Sequence, residues 1–310
     1  MSILRIENLS KEYSKGLVGK KFRALSNLSL EVQEGEIYGF LGPNGAGKTT
    51  TIKILLRIIF PTGGTAWLLD REISDTDTKQ IHKIGYMPEN PYFYRFLTGM
   101  EFLQFYARLA DIDPDQTKKK AEELLDIVSL THAAKTRIGE YSKGMVTRIG
   151  IAQALITDPV LLLMDEPMSG LDPIGRREIR DLILRLKEEK KTIFFCSHIL
   201  ADVEMLCDRI AILDKGVMVK EGTVQDILAV QESSYVVSLD HVSEDAANRL
   251  KSAAAKHEDI GGILHLTTPN QEKAQKLAEQ AMAEQAKIIE IRPERKTLED
   301  YFVKEVANRE

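Results

Sequence analysis

The strongest constraint on the fold is a glycine-rich segment that lies between two largely apolar stretches. Residues 42–49 read Gly-Pro-Asn-Gly-Ala-Gly-Lys-Thr and match the pattern G-x-x-x-x-G-K-[ST] in full. The stretch before them, residues 36–41, predicts a strand, and residues 48–60 predict a helix that ends before Pro61. A strand, a glycine-rich turn and a helix in this order predict an α/β fold built around a phosphate-binding loop.

The residue types of this segment explain how it would hold phosphate. Glycines let the main chain curl until successive N–H groups point at one site, and the first helical turn adds the positive end of its dipole. In such loops the lysine, here Lys48, reaches the β- and γ-phosphates, and the hydroxyl of Thr49 binds Mg²⁺. The predicted nucleotide-binding residues of the loop are Gly42, Pro43, Asn44, Gly45, Ala46, Gly47, Lys48, Thr49 and Thr50.

The composition adds no general attraction for polyanions. The 310 residues include 42 Lys plus Arg and 47 Asp plus Glu, a net charge of −5, so we expect no nucleic-acid partner. Two cysteines cannot form a disulfide framework, and Arg5, Glu7 and Lys11 interrupt the start where a secretory segment needs an apolar stretch. No apolar run reaches the roughly 18 residues that a bilayer crossing needs. We therefore expect a reducing, cytosolic setting.

A second acidic site follows another predicted strand. The continuous apolar run of residues 160–164 suits a strand buried on both faces of a parallel sheet, and Asp165 and Glu166 come directly after it. Ligands in open α/β sheets bind beyond the carboxyl ends of strands, so this pair and the glycine-rich loop should meet at one edge. Asp165 is predicted to bind Mg²⁺, and Glu166 to act as the general base toward an attacking water.

The remaining pattern predicts two domains. Residues 1–230 combine short strands, a helical subdomain at about residues 90–157, a strand–helix–strand unit and a closing hairpin, while residues 231–310 form a small α+β accessory domain. Three helix starts carry a capping signal. They are Thr98 with Glu101, Asp113 before Pro114, and Asp172 before Pro173.

These motifs resemble those of the ATPase subunit of ATP-binding cassette (ABC) transporters over residues 2–225. Tyr-Ser-Lys-Gly-Met at residues 141–145 lies twenty residues before Asp165, where the family carries its signature sequence, and Ser-Gly-Leu-Asp at residues 169–172 matches its D-loop. His198 falls at the switch histidine of the family, although its spacing alone favours a structural role. Tyr13 falls where the family stacks an aromatic ring on adenine.

The resemblance implies a P-loop NTPase with an antiparallel β subdomain and a helical insert that binds ATP and Mg²⁺. The implied catalytic residues are Glu166, His198 and Lys48, and the implied metal ligands are Thr49, Glu89 and Asp165. Outside the loop, the implied nucleotide contacts are Tyr13, Glu89, Ser142, Lys143, Gly144 and Asp172. The resemblance also implies a head-to-tail dimer, in which the signature of one subunit closes over ATP held by the other.

Two motifs, the signature and the Q-loop, depart from the commonest pattern of the family. Lys143 and Met145 replace the first glycine and the glutamine of Leu-Ser-Gly-Gly-Gln, and Glu89 replaces the usual glutamine of the Q-loop. The sequence leaves open whether Lys143 adds charge at the γ-phosphate or points to solvent. Both variants resemble a subgroup of bacterial exporters for drugs, antibiotics, lipids or ions, and residues 297–302 resemble its accessory domain.

The implied function is an ATP-hydrolysing subunit, peripheral to the cytoplasmic face of the cell membrane, that powers a separately encoded polytopic permease and exports its substrate. Tyr92, Phe93 and Tyr94 are candidates to dock that permease, although they could equally belong to the core. The rival hypothesis is a soluble ABC ATPase acting on ribosomes or DNA. A single phosphate loop and the lack of a heptad run favour transport, and Glu166 argues against a nucleotide sensor without hydrolysis.

Overall fold

The structure is a computed structural model that describes residues 1–15, 20–73, 78–229, 234–294 and 297–307. The chain divides into two units, Met1–Val224 and Gln225–Glu310. Within the described residues, no helix combines the length and the hydrophobicity that crossing a bilayer requires.

The first unit alternates strands and helices after an all-β start. In chain order its elements are β1 (Ser2–Lys15), β2 (Lys20–Gln33), β3 (Ile37–Leu41), α1 (Lys48–Leu55), β4 (Gly63–Leu68), β5 (Arg71–Glu72), β6 (Ile84–Met87), α2 (Gly99–Leu109), α3 (Pro114–Ile127), α4 (Lys143–Ala154), β7 (Leu161–Asp165), α5 (Pro173–Glu188), β8 (Thr192–Ser197), α6 (Leu200–Leu206), β9 (Arg209–Asp214) and β10 (Val217–Thr223). Short 3-10 helices cover Thr78–Lys83, Thr131–Ala133 and Ile138–Glu140, and α7 (Val224–Ala229) spans the division between the units.

A six-stranded sheet with the order β10-β9-β3-β8-β7-β6 forms the centre of this unit. The pairs β9–β3, β3–β8, β8–β7 and β7–β6 are parallel, and the hairpin strand β10 is antiparallel to β9. Every residue of β3, β7 and β8 is buried. Burial on both faces explains why these strands are continuous apolar runs without alternation, as the sequence predicted.

A second sheet of this unit is antiparallel and has the order β2-β1-β4-β5. Its inward residues, including Leu4, Leu28 and Leu68, share one hydrophobic cluster with Phe40 and Phe194 of the central sheet. The expected P-loop ABC fold, with an antiparallel β subdomain and a helical insert, is therefore confirmed.

Helix α1 is shorter than the sequence predicted. It ends at Leu55 rather than at residue 60, because Arg57 adopts a left-handed conformation with φ 57°. The Arg57 N–H donates to the carbonyl of Ile54 at 2.9 Å, and the Ile58 N–H donates to that of Lys53 at 2.9 Å. These two bonds are a Schellman motif, which satisfies the last carbonyls and stops the helix before Pro61.

The three predicted caps are confirmed. Thr98 and Glu101 exchange hydrogen bonds as a capping box at α2, while Asp113 and Asp172 accept backbone N–H bonds at the starts of α3 and α5. The aromatic residues before α2 separate into two groups. Phe93 is buried and packs edge-on against Phe102 with ring centroids 4.7 Å apart, so of the two alternatives left open for it the core is correct and the docking role is not. Its neighbours Tyr92 and Tyr94 are exposed.

The second unit is a small α+β fold with the order of elements βαββαβα. It contains β11 (Tyr235–Asp240), α8 (Glu244–Ala253), β12 (Lys256–Ile260), β13 (Ile263–Thr268), α9 (Gln271–Ala283), β14 (Lys287–Pro293) and α10 (Leu298–Ala307). Its antiparallel sheet has the order β12-β13-β11-β14, and α8 and α9 share its core through Leu250 and Leu277. The sequence did not predict β12, because this edge strand is polar and exposed throughout.

Candidate functional site

The glycine-rich loop leaves β3 and enters α1 in a conformation that two glycines permit. Gly47, the residue before α1, has φ 111°, and a β-carbon there would lie 2.6 Å from Leu25 Cδ2. At Gly42 a β-carbon would lie 2.5 Å from the carbonyl oxygen of Leu213. Helix α1 has no acidic residue in its first turn and no side-chain cap, so its first N–H groups remain available to an anion.

Lys48 is buried and connects the loop to the acidic pair. Its ammonium donates a 2.6 Å hydrogen bond to the carbonyl of Gly42 and lies 3.4 Å from Glu166 Oε1. The side chain is only 6% exposed. The buried ammonium of Lys48 is therefore paired with the Gly42 carbonyl and the Glu166 carboxylate, and it lies beside the N–H groups of the loop.

Thr49 and Asp165 meet at the same edge of the sheet. The Thr49 hydroxyl donates to Asp165 Oδ2 at 3.3 Å, because β8 separates β3 from β7 and all three strands end together. Burial raises the pKa of Asp165, and the carboxylates of Glu166 and Glu89 raise it further against the hydrogen bond from Thr49. The site therefore offers a hydroxyl oxygen next to carboxylate oxygens that repel one another. Such oxygen ligands suit Mg²⁺, which proteins usually bind through only a few groups.

The two oxygens of Glu166 have different surroundings. Oε2 lies 2.8 Å from His198 Nδ1 and accepts from the His198 N–H at 3.3 Å and the Ser197 hydroxyl at 3.4 Å. Oε1 has the Lys48 ammonium at ion-pair distance but no hydrogen bond among the described residues. Glu166 itself has φ 49°, a left-handed conformation that is uncommon outside glycine.

A cleft above the loop brings most of the predicted residues together. It is lined by Tyr13, Phe22, Ala24, Pro43, Asn44, Gly45, Ala46, Gly47, Lys48, Thr49, Thr50, Glu89, Asp165 and Glu166. The sequence analysis missed Phe22 and Ala24. Phe22 stands opposite Tyr13 in the β1–β2 register, so the pairing of these two strands was the signal that could have identified it.

Six predicted residues do not line this cleft. Gly42 and His198 border it through their contacts with Lys48 and Glu166, and the other four lie elsewhere. Ser142 caps α4 by accepting from the Met145 N–H at 3.3 Å, and Lys143 and Gly144 follow it in the first turn. Asp172 caps α5, where Oδ1 accepts from the Gly175 N–H at 2.7 Å. These residues do not line the cleft of their own chain.

Comparisons with known proteins agree with this geometry. The family model described as ABC transporter matches residues 25–169. An ABC transporter ATP-binding protein of Synechocystis sp. is 42% identical over 99% of this chain and 86% of its own length. The bacitracin transport ATP-binding protein BcrA of Bacillus licheniformis is 40% identical over 71% of this chain and 69% of its own.

Solved structures show the same fold. A dimeric post-hydrolysis state of the ATP-binding cassette MJ0796, bound to ADP and phosphate, superposes with a TM-score of 0.64 at 26% identity, covering 71% of this chain and 98% of that one. A nucleotide-free cassette of an ABC transporter superposes with a TM-score of 0.65 at 25% identity, covering 74% and 96%.

The fold and the cleft define a nucleotide-binding cassette with the parts of an ATPase. The chain belongs to the family of ABC transporter ATP-binding proteins. The function expected from the sequence, an ATP-binding and ATP-hydrolysing subunit of a transporter, is confirmed at the level of this family.

Proposed function

We propose that this chain hydrolyses ATP in the cleft between the glycine-rich loop and Asp165–Glu166, and that hydrolysis drives export through a separately encoded permease. The observation that carries the proposal is the convergence of Lys48, Thr49, Asp165 and Glu166, which come from two distant segments, within hydrogen-bond or ion-pair distance of one another. A glycine-rich turn that binds no ligand would not require a buried acidic pair opposite it.

ATP binding follows from the loop and its flanking strands. The N–H groups of Gly45, Gly47 and the first turn of α1 receive the phosphates, since Pro43 has no N–H and that of Ala46 donates to the carbonyl of Pro43 at 3.1 Å. Lys48 exchanges its contact with the Gly42 carbonyl for the β- and γ-phosphates, which carry full negative charge. Tyr13 stacks on adenine at the other end of the cleft, where its ring is partly exposed.

The metal position is the group formed by Thr49, Asp165 and Glu89. When bound there, Mg²⁺ neutralises charge on the β- and γ-phosphate oxygens during phosphoryl transfer. The hydroxyl of Thr49 and the buried oxygen of Asp165 supply its protein contacts. Glu89, in place of the family's glutamine, contributes a third oxygen from the edge of the cleft.

Glu166 acts as the general base. Its Oε2 is fixed by His198 and Ser197, which leaves Oε1 free to accept a proton from the water that attacks the γ-phosphate. His198 has about half of its side chain exposed and can also reach the γ-phosphate. Position rather than strong basicity makes this carboxylate effective.

The signature residues complete the site across a head-to-tail dimer. Ser142 and the backbone N–H groups of Lys143 and Gly144 stand at the start of α4, a helix without an acidic residue in its first turn. They point to an anion held by another molecule, since they lie outside the cleft of their own chain. Asp172 sits at the same interface, and the solved dimeric cassette supports this arrangement.

The partner that crosses the membrane is a polytopic permease, and the chain binds it from the cytoplasmic face. Relatives named for bacitracin transport support export and argue against the rival role on ribosomes or DNA. The docking surface is the exposed aromatic group Tyr92, Tyr94, Phe96 and Phe105 beside α2. Contiguous exposed aromatic side chains are expensive in water and mark interaction sites.

The deciding experiment is Glu166→Gln. We expect this variant to bind ATP with Mg²⁺ as the parent does in calorimetry, and to hydrolyse it about 10² to 10⁴ times more slowly, because a positioned base is lost. Glu123→Gln, at an exposed glutamate of α3, is the matched control and should hydrolyse at the parental rate. Parental turnover by Glu166→Gln would remove Glu166 from the mechanism.

A further inference from the structure

The side chain of Lys143 lies against the loop that follows Glu166 in the same chain. A β-carbon placed on Gly170 would be 2.2 Å from the Lys143 ammonium nitrogen and 3.4 Å from its Cε. The lysine therefore occupies the space directly over this glycine. No carboxylate in the described part of the chain lies within ion-pair distance of that ammonium.

Gly170 belongs to a tight segment that joins the catalytic carboxylate to helix α5. The Ser169 N–H donates to the carbonyl of Glu166 at 3.0 Å, and the Leu171 N–H donates to that of Met168 at 3.3 Å. Glu166 and Gly170 both have left-handed backbones, with φ 49° and 65°. Turns of this kind contain few internal hydrogen bonds per residue, so contacts with residues outside the turn determine how rigid it is.

Gly170 also fits the lysine sterically. The left-handed backbone favours glycine, and any side chain there would have to displace the Lys143 ammonium. The Met168 and Leu171 side chains anchor the other side of the segment, where both are buried. The segment thus lies between the core and the side chain of Lys143, an exposed residue whose ammonium covers Gly170.

We propose that Lys143 is a positioning residue whose side chain acts in its own chain, on the segment 166–172, and so fixes the direction of Glu166. Its backbone N–H remains available to the phosphate of the opposite subunit, while its ammonium serves the hydrolytic side of its own subunit. This inference rests on the proposed role of Glu166. It gives the unusual signature residue a function that the glycine of the common signature could not perform, since glycine has no side chain to reach Gly170.

The first test uses the nucleotide-free full-length chain and needs no activity. In hydrogen exchange, Lys143→Ala should speed exchange of the peptide spanning residues 166–172 on the order of tenfold, because one wall of a weakly bonded turn is lost. Alanine is a strong helix former, so α4 itself should be unaffected. Lys143→Arg should restore protection, and Lys135→Ala, at an exposed lysine of the same subdomain, should leave it unchanged. Unchanged exchange in Lys143→Ala overturns the proposal.

The second test separates action within one chain from action across the dimer. In a mixed dimer of Lys143→Ala and Glu166→Gln subunits, the site that keeps Glu166 faces an intact signature from the other chain. If Lys143 acts in its own chain, this site stays slow, with kcat lowered about tenfold by misplacement of the base and KM for ATP nearly unchanged. Recovery to the rate of a mixture of parent and Glu166→Gln would show action across the dimer and would reject the inference.

Ser142→Ala mixed with Glu166→Gln is the control for the dimer itself. Because Ser142 is proposed to act across the interface, this mixture should rise to the rate of a mixture of parent and Glu166→Gln. If it does not, the dimer part of the proposed function fails. The hydrogen-exchange result on Lys143 still stands or falls separately.

Discussion

The carboxylate of Glu166 must be held in a fixed position and must also keep an oxygen that can accept a proton. Three contacts from Ser197 and His198 hold one oxygen, while the other has only the Lys48 ammonium at 3.4 Å. A buried charge that is fully paired would be stable but inert, and one that is wholly unpaired would be too costly to keep. The asymmetry leaves one oxygen free for proton transfer without leaving the whole group unsupported.

In the proposed ATP complex, Phe22 is a second aromatic surface on which the adenine ring can stack. It faces Tyr13 across the β1–β2 pair and lines the cleft with it, although only Tyr13 was predicted from the sequence. Aromatic contact with a base contributes about 1–3 kcal/mol. We therefore expect adenine, in the proposed ATP complex, to contact two rings from neighbouring strands.

We expect Phe22→Ala to weaken ATP binding about tenfold, which is the lower part of the range for one base–aromatic contact. Affinity for inorganic tripolyphosphate should stay the same, because the phosphate loop is untouched. Calorimetry with both ligands measures the two effects, and Phe60→Ala, at an exposed aromatic outside the cleft, is the control. An equal loss for both ligands would place Phe22 in the fold rather than at the base.

At the scale of elements, helix starts were predictable and one helix end was not. Thr98, Asp113 and Asp172 cap helices through bonds to residues two or three positions later, so the local sequence contains both partners. The end of α1 depends on Arg57 adopting a left-handed conformation. This position holds neither glycine nor asparagine, the residues that usually indicate such a helix end in a sequence. Strand β12 was missed for a similar reason, since its pairing with β13 carries no apolar alternation.

The capping box at α2 should contribute measurably to stability. Thr98→Ala removes the side-chain acceptor for the Glu101 N–H and is expected to lower the free energy of unfolding by about 1 kcal/mol. Hydrogen bonds from the Thr98 backbone and side chain lower the pKa of Glu101. Their stabilising effect is therefore present above the ordinary pKa of a glutamate and is lost as the pH falls through the lowered value.

The difference in the free energy of unfolding between the parent and Thr98→Ala should accordingly become smaller in acid. Denaturant unfolding at neutral pH and at a pH below the titration of Glu101 measures this difference. Thr131→Ala, at an exposed threonine of the same subdomain that caps no helix, should match the parent at both. A difference that widens on acidification would contradict the role of the Glu101 carboxylate in the cap.

At the scale of the whole molecule, the proposed docking surface for the permease is the exposed aromatic group before and within α2. Tyr92 is 94% exposed and Phe96 is 68% exposed, while Phe93 between them is buried and holds the segment in place. An anchored segment with outward aromatic rings resembles the centre of a protein interface more than a solvated loop.

Single cysteines at Tyr92 or Tyr94 should cross-link to a cytoplasmic helix of the co-expressed permease. A cysteine at Phe60, which is exposed and borders a groove lined by Leu9 and Ile54, should not. The native Cys196 and Cys207 are buried and should stay silent under mild reagents, because burial raises the pKa of both thiols well above the ordinary value. Equal product at position 60, or none at 92 and 94, would exclude this surface.

The amino-acid sequence by itself determined the phosphate loop, the buried strands beside it, the helix caps and the acidic pair. Each of these depends on residues that are neighbours in the chain, so spacing and residue type suffice. Only the tertiary structure decided that Phe22 faces Tyr13, that Glu166 leaves one oxygen free, and that the side chain of Lys143 reaches Gly170. These contacts join residues far apart in the chain, and packing of strands and helices against one another sets them rather than any local preference.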